Sequence, residues 1–376
     1  MTAREAYLAL IRAALWAPEG PLAEDCRAAL GEEYLLQEVL RIADSQRTRG
    51  LVCDLLLRSD LPLPAAQAAA MQLQLISIAG MHPVLNSTVG TVVGALEQAG
   101  IPSVLLKGQG VAQLYPNPLL RECGDIDLYV GPERLEEAIR VLSPLASRQD
   151  DTLSGKRGKH WCMWFGKTEL ELHKYSMSPE TCRRARLYRK MEAAGLTGVL
   201  PSANFGGISV NIPEDSFNAF YLFYHLLHHF VSCGIGFRQL CDWALLLHST
   251  RSNLDLARLR SYLEGMRMFH PWQMFGCIAV CDLGLPQEEF PFFDGSLHEQ
   301  SRSVLEMVFV DGNFGYETLT PKNPSDSYAA ANAKKLASHL RRFRQVFPST
   351  PYEAWLSILV DIGNGFRQVY RDLSKL

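Results

Sequence analysis

Residues 104–130 read VLLKGQGVAQLYPNPLLRECGDIDLYV, and this stretch decides the fold. An apolar run at its start ends in the KGQG sequence of residues 107–110, and a helix-sized segment follows. A second short apolar run then carries Asp125 and Asp127. This order predicts a strand, a tight turn, a helix and a second strand.

The two aspartates have the spacing of metal ligands on one strand. Side chains alternate between the faces of a strand, so Asp125 and Asp127 project from the same face. Two carboxylates this close repel each other unless a cation compensates them, and Mg²⁺ prefers carboxylate oxygens together with water and substrate phosphate. The spacing therefore predicts a cation held between the two side chains.

The glycines of the turn suit a phosphate-binding loop. Gly108 and Gly110 let the backbone turn sharply and approach a ligand, and the first turn of the following helix offers unpaired N–H groups to a phosphate. Either fragment alone is weak, because Asp-x-Asp is common in surface turns and Gly-x-Gly is widespread. Residues 125–130 alternate as a half-buried strand does, and the combination favours a phosphate cradle beside a metal site.

Together these residues resemble the nucleotidyltransferases of the polymerase-beta superfamily. That signature is a strand ending in Gly-Gly or Gly-Ser, a helix, and a strand bearing Asp-x-Asp or Asp-x-Glu. The Lys-Gly form, with an arginine shortly before Asp-x-Asp-Leu, is similar to an uncharacterised bacterial nucleotidyltransferase family and to the nucleotidyltransferase toxins of toxin–antitoxin pairs. The residues that carry this likeness are Lys107, Gly108, Arg121, Asp125, Asp127 and Leu128.

The superfamily also requires a third carboxylate, flanked by apolar residues on a strand beside the Asp-x-Asp strand. In TELELHK, residues 168–174, the surroundings of Glu171 fit that pattern better than those of Glu169. The resemblance therefore implies Glu171 as the third ligand and leaves Glu169 facing solvent or pairing with a base. An acidic residue on an ordinary edge strand is the competing interpretation.

The resemblance implies a two-metal transfer, dependent on Mg²⁺ or Mn²⁺, of a nucleoside monophosphate from an NTP to an acceptor hydroxyl, with release of pyrophosphate. Catalytic and metal-binding roles fall on Asp125, Asp127 and Glu171. Nucleotide-binding roles fall on Lys107, Gly108, Gln109, Gly110, Arg121 and Arg238. Gln109 stands where many members have glycine or serine, and Arg121 has a rival role as a structural partner of the aspartates.

Residues 234–248, GIGFRQLCDWALLLH, also resemble the bacterial family, whose helical region carries Gly-x-x-x-Arg-Gln and a downstream Asp-Trp. Arg238 and Asp242 are four residues apart on a helix and have the spacing of an ion pair. Arg238 has a second possible use, which is to approach the triphosphate. The two uses are compatible.

Composition indicates an ordinary globular chain of 376 residues, with 47% hydrophobic and 20% charged residues. The formal net charge of -3 excludes a global basic field, although a local basic patch stays open. Nine scattered cysteines form no metal-binding or disulfide framework, which favours free thiols in a reducing compartment. With no signal-like N-terminus and no uninterrupted apolar run of membrane length, we expect a cytoplasmic protein without a membrane partner.

The periodicity predicts an α+β fold: a small mixed-sheet nucleotidyltransferase core of the polymerase-beta type, flanked by helical regions. Helical spacing and proline punctuation define an N-terminal helical region at residues 1–98. Alternating strands and helices define the nucleotidyltransferase core at 99–212, which closes with one more strand at 206–212 returning to the sheet. A C-terminal helical domain follows at 213–376.

Three polar features have a structural and a functional interpretation. Lys156, Arg157 and Lys159 form a charged hairpin tip, which is more often solvated than substrate-binding. A basic helix within 180–200 has the composition of an RNA groove or of an ordinary solvated surface. His225 and His229 lie on one helix face, where buried hydrogen-bonding histidines are favoured over a zinc site because no third ligand is evident.

Three classes of function therefore stay open. The first is an enzyme acting on an NTP and on an acceptor, either a small molecule, a protein or RNA, with an antitoxin-like protein partner if the likeness to toxins holds. A continuous basic groove would indicate an RNA acceptor. A closed pocket between the sheet and the Arg238 helix would indicate a small-molecule acceptor. The second is a catalytically silent nucleotide-binding module, and the third a helical interaction scaffold.

Overall fold

The computed structural model describes residues 1–150, 158–205, 207–315 and 328–360. Five helices precede the sheet, as the helical periodicity predicts. They are α1 (Ala3–Trp16), α2 (Glu24–Leu30), α3 (Glu33–Ser45), α4 (Arg49–Arg58) and α5 (Ala65–Gln98). Gly100 follows α5 with φ +68°, the left-handed conformation that commonly ends a helix and that glycine adopts without strain.

A mixed five-stranded sheet follows, in the spatial order β1-β2-β5-β4-β3. Its strands are β1 (Val104–Leu105), β2 (Ile126–Tyr129), β3 (Arg148–Gln149), β4 (His160–Phe165) and β5 (Thr168–His173). β2 and β5 run parallel, with Asp127 paired to Glu171, and the other neighbours are antiparallel. The predicted mixed α+β architecture is confirmed.

The helix predicted between the first two strands is much shorter than its sequence segment. It is α6 (Gln109–Ala112), only four residues long. Pro116 and Pro118 lack the N–H that a continuing helix needs, so the chain passes through a 3-10 turn at Pro118–Leu120. This turn delivers Arg121 just ahead of β2.

The strand predicted at residues 206–212 does form, but it does not return to the main sheet. β7 (Ile208–Asn211) pairs only with β6 (Ser202–Phe205) in a separate two-stranded sheet. The two strands are close neighbours in sequence, so a local hairpin costs less chain entropy than a pairing with β1. The Asn211 side chain still donates a hydrogen bond to the Ser103 carbonyl at 3.3 Å, which holds the hairpin beside β1.

The sheet separates two hydrophobic cores. Ile126 and Leu128 on β2 pack with α5 and with α7 (Leu135–Leu142) on one side. Tyr129 packs into the larger, helical core on the other side. Since side chains alternate along a strand, Asp127 faces the helical core together with Tyr129.

The helical core is built from both ends of the chain. The C-terminal helices are α8 (Cys182–Leu196), α9 (Asp215–Ser232), α10 (Phe237–Thr250), α11 (Leu256–Gly265), α12 (Phe269–Cys277), α13 (His298–Asp311), α14 (Tyr328–Val346) and α15 (351–360). They share one core with α1–α4. The Tyr7 ring of α1 meets the Phe237 ring of α10 edge-on at 5.3 Å, and the Gln46 side chain donates to the Val308 carbonyl at 3.0 Å.

One helix of the described residues, α5, is long and apolar enough to cross a membrane by length and composition alone. This property was not expected from the sequence, because glutamine and histidine interrupt its apolar runs. A single such helix is weak evidence for a membrane protein, since helices of soluble proteins pass the same test.

Glu353 on α15 gives a test of the packing of this C-terminal helix. Its side chain is buried, and burial raises its pKa to about 7, an effect that Arg184 only partly offsets. The folded state thus holds a proton that the unfolded state has released, so the free energy of unfolding falls as pH rises from about 4.5 to about 7. We expect the free energy of unfolding of the wild type to fall by about 3 kcal/mol over this pH range, and that of Glu353→Gln to stay constant. Urea denaturation at several pH values measures both. Glu136→Gln, at an exposed position of α7, is the control and should show the same pH dependence as the wild type. If Glu353→Gln also shows the wild-type pH dependence, α15 does not bury Glu353.

Candidate functional site

Three carboxylates meet on the neighbouring parallel strands β2 and β5 and on the residue just before β2. The parallel register sets Asp127 directly beside Glu171, and Asp125 lies just before β2. One oxygen from each side chain lies within 4.8 Å of an oxygen from each of the others. Asp127 is buried, with 2% of its side chain exposed, whereas Glu171 is partly exposed and Asp125 is exposed.

Two cations compensate the buried charge of Asp127. Lys107 Nζ and His173 Nε2 each lie 3.0 Å from Asp127 Oδ1. Burial raises the pKa of Asp127, but Lys107 and the hydrogen bond from His173 outweigh burial and hold the pKa well below its usual range. Asp127 is therefore ionised at neutral pH.

His173 is a member of the site that the sequence interpretation did not assign. Nδ1 donates to the Tyr175 carbonyl at 3.1 Å, while Nε2 lies 3.0 Å from Asp127 Oδ1 and 3.2 Å from Glu171 Oε2. Burial lowers the pKa of His173, but its hydrogen bonds to the two carboxylates outweigh burial and raise it. The available signal was the Glu-x-His spacing on β5, which places both side chains on the face of Asp127.

The remaining carboxylates differ in their electrostatics. The charge of Asp127 raises the pKa of Asp125. Burial raises the pKa of Glu171, but the hydrogen bond from His173 outweighs burial, so the pKa of Glu171 lies below its usual value. A divalent cation among these oxygens would relieve the repulsion at Asp125, and an all-oxygen donor set suits Mg²⁺ or Mn²⁺.

His160 belongs to a second group that could hold a metal ion, together with Glu171 and His173. His160 Nδ1 lies 3.2 Å from Glu171 Oε2, and burial lowers the pKa of His160. Both nitrogens of His173 are already engaged with oxygen acceptors. The oxygen group is therefore the better candidate for a hard cation.

The predicted phosphate-binding loop divides into two parts. Lys107 and Gly108 line the pocket above the carboxylates. The φ angle of Gly108 is +57°, and a Cβ at this position would lie 3.3 Å from the Asp125 carbonyl oxygen. The Gln109 side chain is instead buried beside His82, with Nε2 3.5 Å from His82 Nδ1. Gly110 packs against Leu105 and Ile212. Of the loop, then, Lys107 and Gly108 face the pocket.

Arg121 makes a buried two-pronged ion pair with Asp242 of α10. Its Nε and Nη2 donate to the two carboxylate oxygens, each at 2.7 Å, and the Tyr115 hydroxyl donates to Oδ1 at 2.7 Å. Arg121 is only 6% exposed. It thus ties the chain ahead of β2 to the helical core rather than pairing with Asp125 or Asp127.

Arg238 does not form the ion pair with Asp242 that its spacing predicts, because Arg121 and Tyr115 already occupy that carboxylate. Arg238 Nη1 donates instead to the Glu122 carbonyl at 2.7 Å. Its buried Nε has no hydrogen-bond partner among the residues that the structure describes. Arg238 lines the same pocket as the three carboxylates.

The pocket has a volume of about 580 Å³ and lies between the sheet and helices α9 and α10. His225 and His229 of α9 form its far wall, with the Phe314 ring edge-on to His229 at 4.8 Å. Burial and Lys107 hold the pKa of His225 well below its usual range, and burial lowers that of His229 to about 3. Both rings are neutral, and neither belongs to a metal-binding group found among the described residues.

Lys159 also lines the pocket, beside the carboxylates. Burial and the nearby Lys107 lower its pKa. Lys156 and Arg157, predicted to share a hairpin tip with it, lie outside the described residues. On α8, Arg184 is buried and Arg189 pairs with Glu192, so only part of the predicted basic helix faces solvent.

The chain matches a family model described as uncharacterised nucleotidyltransferase over residues 34–281. It is also similar to a solved structure, the crystal structure of an antigenic nucleotidyltransferase-like protein from Paracoccidioides brasiliensis. That similarity covers 59% of this chain and 96% of the other at 12% identity, with a TM-score of 0.33, and it is too distant to support an argument. A search of curated proteins gives no match.

The Arg121–Asp242 pair predicts a stability effect that a nucleotide-contacting arginine would not produce. Arg121→Met leaves the buried Asp242 carboxylate without its cation, so we expect a loss of about 3–5 kcal/mol in the free energy of unfolding. Arg121→Met/Asp242→Leu, which removes both charges, should be more stable than Arg121→Met. Urea denaturation measures both, with Arg260→Met at the exposed Arg260–Glu264 pair as control. A loss below about 1 kcal/mol in Arg121→Met, as at an exposed pair, would contradict the structural role.

Proposed function

Because the chain belongs to the family of uncharacterised nucleotidyltransferases, we propose that it moves a nucleoside monophosphate from an NTP to an acceptor hydroxyl and releases pyrophosphate. One observation carries the proposal: Asp125, Asp127 and Glu171 converge in a single pocket that also contains the cationic side chains of Lys107 and Arg238. We further propose that the sheet is the core of a polymerase-beta-type domain.

The three carboxylates would hold Mg²⁺ or Mn²⁺. The ion, when bound, would supply charge to the phosphate oxygens and lower the pKa of the acceptor hydroxyl. Asp127 is ionised before any ligand arrives, because Lys107 and His173 stabilise its charge. His173 also fixes the orientation of both Asp127 and Glu171 through its Nε2.

The transfer itself is a substitution at the α-phosphorus. The acceptor oxygen forms a bond to that phosphorus while the bond to the bridging oxygen of the leaving pyrophosphate breaks. Glu171, the partly exposed carboxylate beside Asp127, receives the hydroxyl proton and passes it to solvent. No further reactant is needed.

Three cations of the pocket would bind the triphosphate. Lys107 pairs with Asp127 at 3.0 Å, and cation binding by Asp127 would release Lys107 toward phosphate. Arg238 and Lys159 line the same pocket. Charge-assisted hydrogen bonds of this kind stabilise the negative charge that grows on the leaving pyrophosphate.

The far wall of the pocket would receive the nucleobase. His225 and His229 are neutral rings with hydrogen-bonding nitrogens, and Phe314 offers an aromatic edge beside them. Aromatic and imidazole rings stack on bases of every type, so this wall fixes the base without selecting one.

We propose a small-molecule acceptor. A closed pocket between the sheet and the Arg238 helix is the feature expected for a small acceptor. A pocket lies at that position, and its volume of about 580 Å³ is in the range of small-molecule sites. An RNA acceptor would need a continuous basic groove. Arg184 is buried and Arg189 pairs with Glu192, so these two arginines contribute less positive charge to the surface. The relation to nucleotidyltransferase toxins, and an antitoxin-like partner, stay predictions.

The test follows label from an NTP in the presence of Mg²⁺ or Mn²⁺. Protein is incubated with each NTP labelled at the α- or the γ-phosphate, and with either a metabolite extract, a protein extract or total RNA. We expect α-label to enter a small molecule and γ-label to leave as pyrophosphate. Asp127→Asn and Glu171→Gln should lower the rate about 100-fold or more, since each removes a charge that the transition state requires.

Glu169→Gln is the matched control. Glu169 occupies the same strand as Glu171, one pleat away, but does not line the pocket, so this variant should keep wild-type activity. Transfer of α-label to RNA would overturn the choice of acceptor. Absence of transfer under every condition would overturn the proposed function, and NTP binding without transfer would identify a silent nucleotide-binding module.

A further inference from the structure

One face of α5 is exposed and carries no charge. Its central residues are Ala69, Leu73, Ile76, Ser77, Gly80 and Val84. All are exposed, and each lies three or four residues from another of the set, so they share one side of the helix. Leu73, Ile76 and Val84 are 68%, 67% and 57% exposed. Residues 61–96 contain no aspartate, glutamate, lysine or arginine. We call this surface the α5 face.

Gly80 lies at the centre of this face, three residues before Pro83, which also lies inside α5. A Cβ at this position would meet no atom of the described residues within 4 Å. Glycine inside a helix destabilises it relative to alanine, so a glycine that no neighbour requires is costly. The open space above Gly80 leaves room for the side chain of a partner helix, and exposed apolar patches of this kind mark interaction sites.

The sequence of the α5 face complements itself when two copies run antiparallel. With the twofold axis between residues 76 and 77, Leu73 of one copy meets Gly80 of the other. Val84 then meets Ala69, and Ile76 meets Ser77. Each contact joins a large side chain to a small one, which is the condition for close helix packing. The absence of charge removes any like-charge repulsion between identical faces, and a twofold interface closes on itself.

We propose that the α5 face is the interface of a homodimer in which two α5 helices pack antiparallel. A lipid surface fits the same face less well. Met71 and Leu75 on the other side of α5 pack into the helical core that includes α4, and α4 carries the partly exposed Asp54–Arg58 ion pair. Helices that lie in a membrane surface usually carry lysine or arginine on their polar side, and α5 has neither. The proposal does not depend on the proposed function, because no residue of the α5 face lines the pocket.

Sedimentation velocity of the full chain over a range of concentrations is the first test. We expect a dimer for the wild type and a monomer for Leu73→Glu/Ile76→Glu, because four carboxylates would meet at the twofold axis. Both positions are exposed, so the variant should stay folded and keep the circular dichroism spectrum of the wild type. Val199→Glu, at a fully exposed valine outside α5, should stay dimeric.

Cross-linking tests the orientation. In a background where the exposed Cys182 and Cys281 are serine, a short bismaleimide should join two copies of Ser77→Cys, since these positions face each other near the axis. It should not join Thr91→Cys, whose copies lie about 40 Å apart in the antiparallel arrangement. Equal cross-linking of both variants would indicate parallel helices and contradict the proposed packing.

Two further results would overturn the homodimer. One is a wild-type chain that stays monomeric at every concentration, and the other is a dimer that Leu73→Glu/Ile76→Glu leaves intact. Flotation with phosphatidylcholine vesicles resolves the lipid alternative: wild-type protein that floats while the double variant does not would assign the α5 face to a membrane surface instead.

Discussion

The buried carboxylate of Asp127 is the constraint on which the rest of the site depends. An ionised group with 2% of its side chain exposed persists only when cations lie against it, and here Lys107 and His173 both do so at 3.0 Å. Lys107 comes from the loop after β1 and His173 from β5, so the position of one oxygen fixes the loop, the strand order and the register of β2 against β5. That register in turn places Glu171 directly beside Asp127.

The helical core completes the site from the opposite side. Helices from both ends of the chain share this core, and the Arg121–Asp242 pair ties it to the chain just ahead of β2. The sheet therefore presents carboxylates, and α9 and α10 present neutral histidines and the side chain of Arg238, across one pocket. In the proposed function, the carboxylate side of the pocket would hold the metal ion and the triphosphate, and the uncharged wall would receive the base.

The alternation and spacing of residues within a strand predict which side chains share a face of that strand. The alternation around Asp125 and Asp127 placed both on one strand face, and the Leu-Glu-Leu context selected Glu171 over Glu169, which lies outside the pocket. The predicted partner of Arg238 was wrong, because spacing within one helix says nothing of an arginine from residue 121 that reaches the same carboxylate first. The same limit applies to Gln109, whose burial against His82 depends on how α5 packs, and to the short hairpin of β6 and β7.

The central claim is that Asp127 is a ligand of the metal ion. Its most direct test measures the affinity of the protein for Mn²⁺ in the presence of NTP, with electron paramagnetic resonance as the readout. If Asp127 binds a divalent cation while His173 holds its orientation, the wild type binds Mn²⁺, and Asp127→Asn lowers the affinity about tenfold or more, because a charged oxygen ligand is lost. Equal Mn²⁺ affinity in the wild type and in Asp127→Asn would contradict the account, since the buried carboxylate would then serve only its own lysine and histidine.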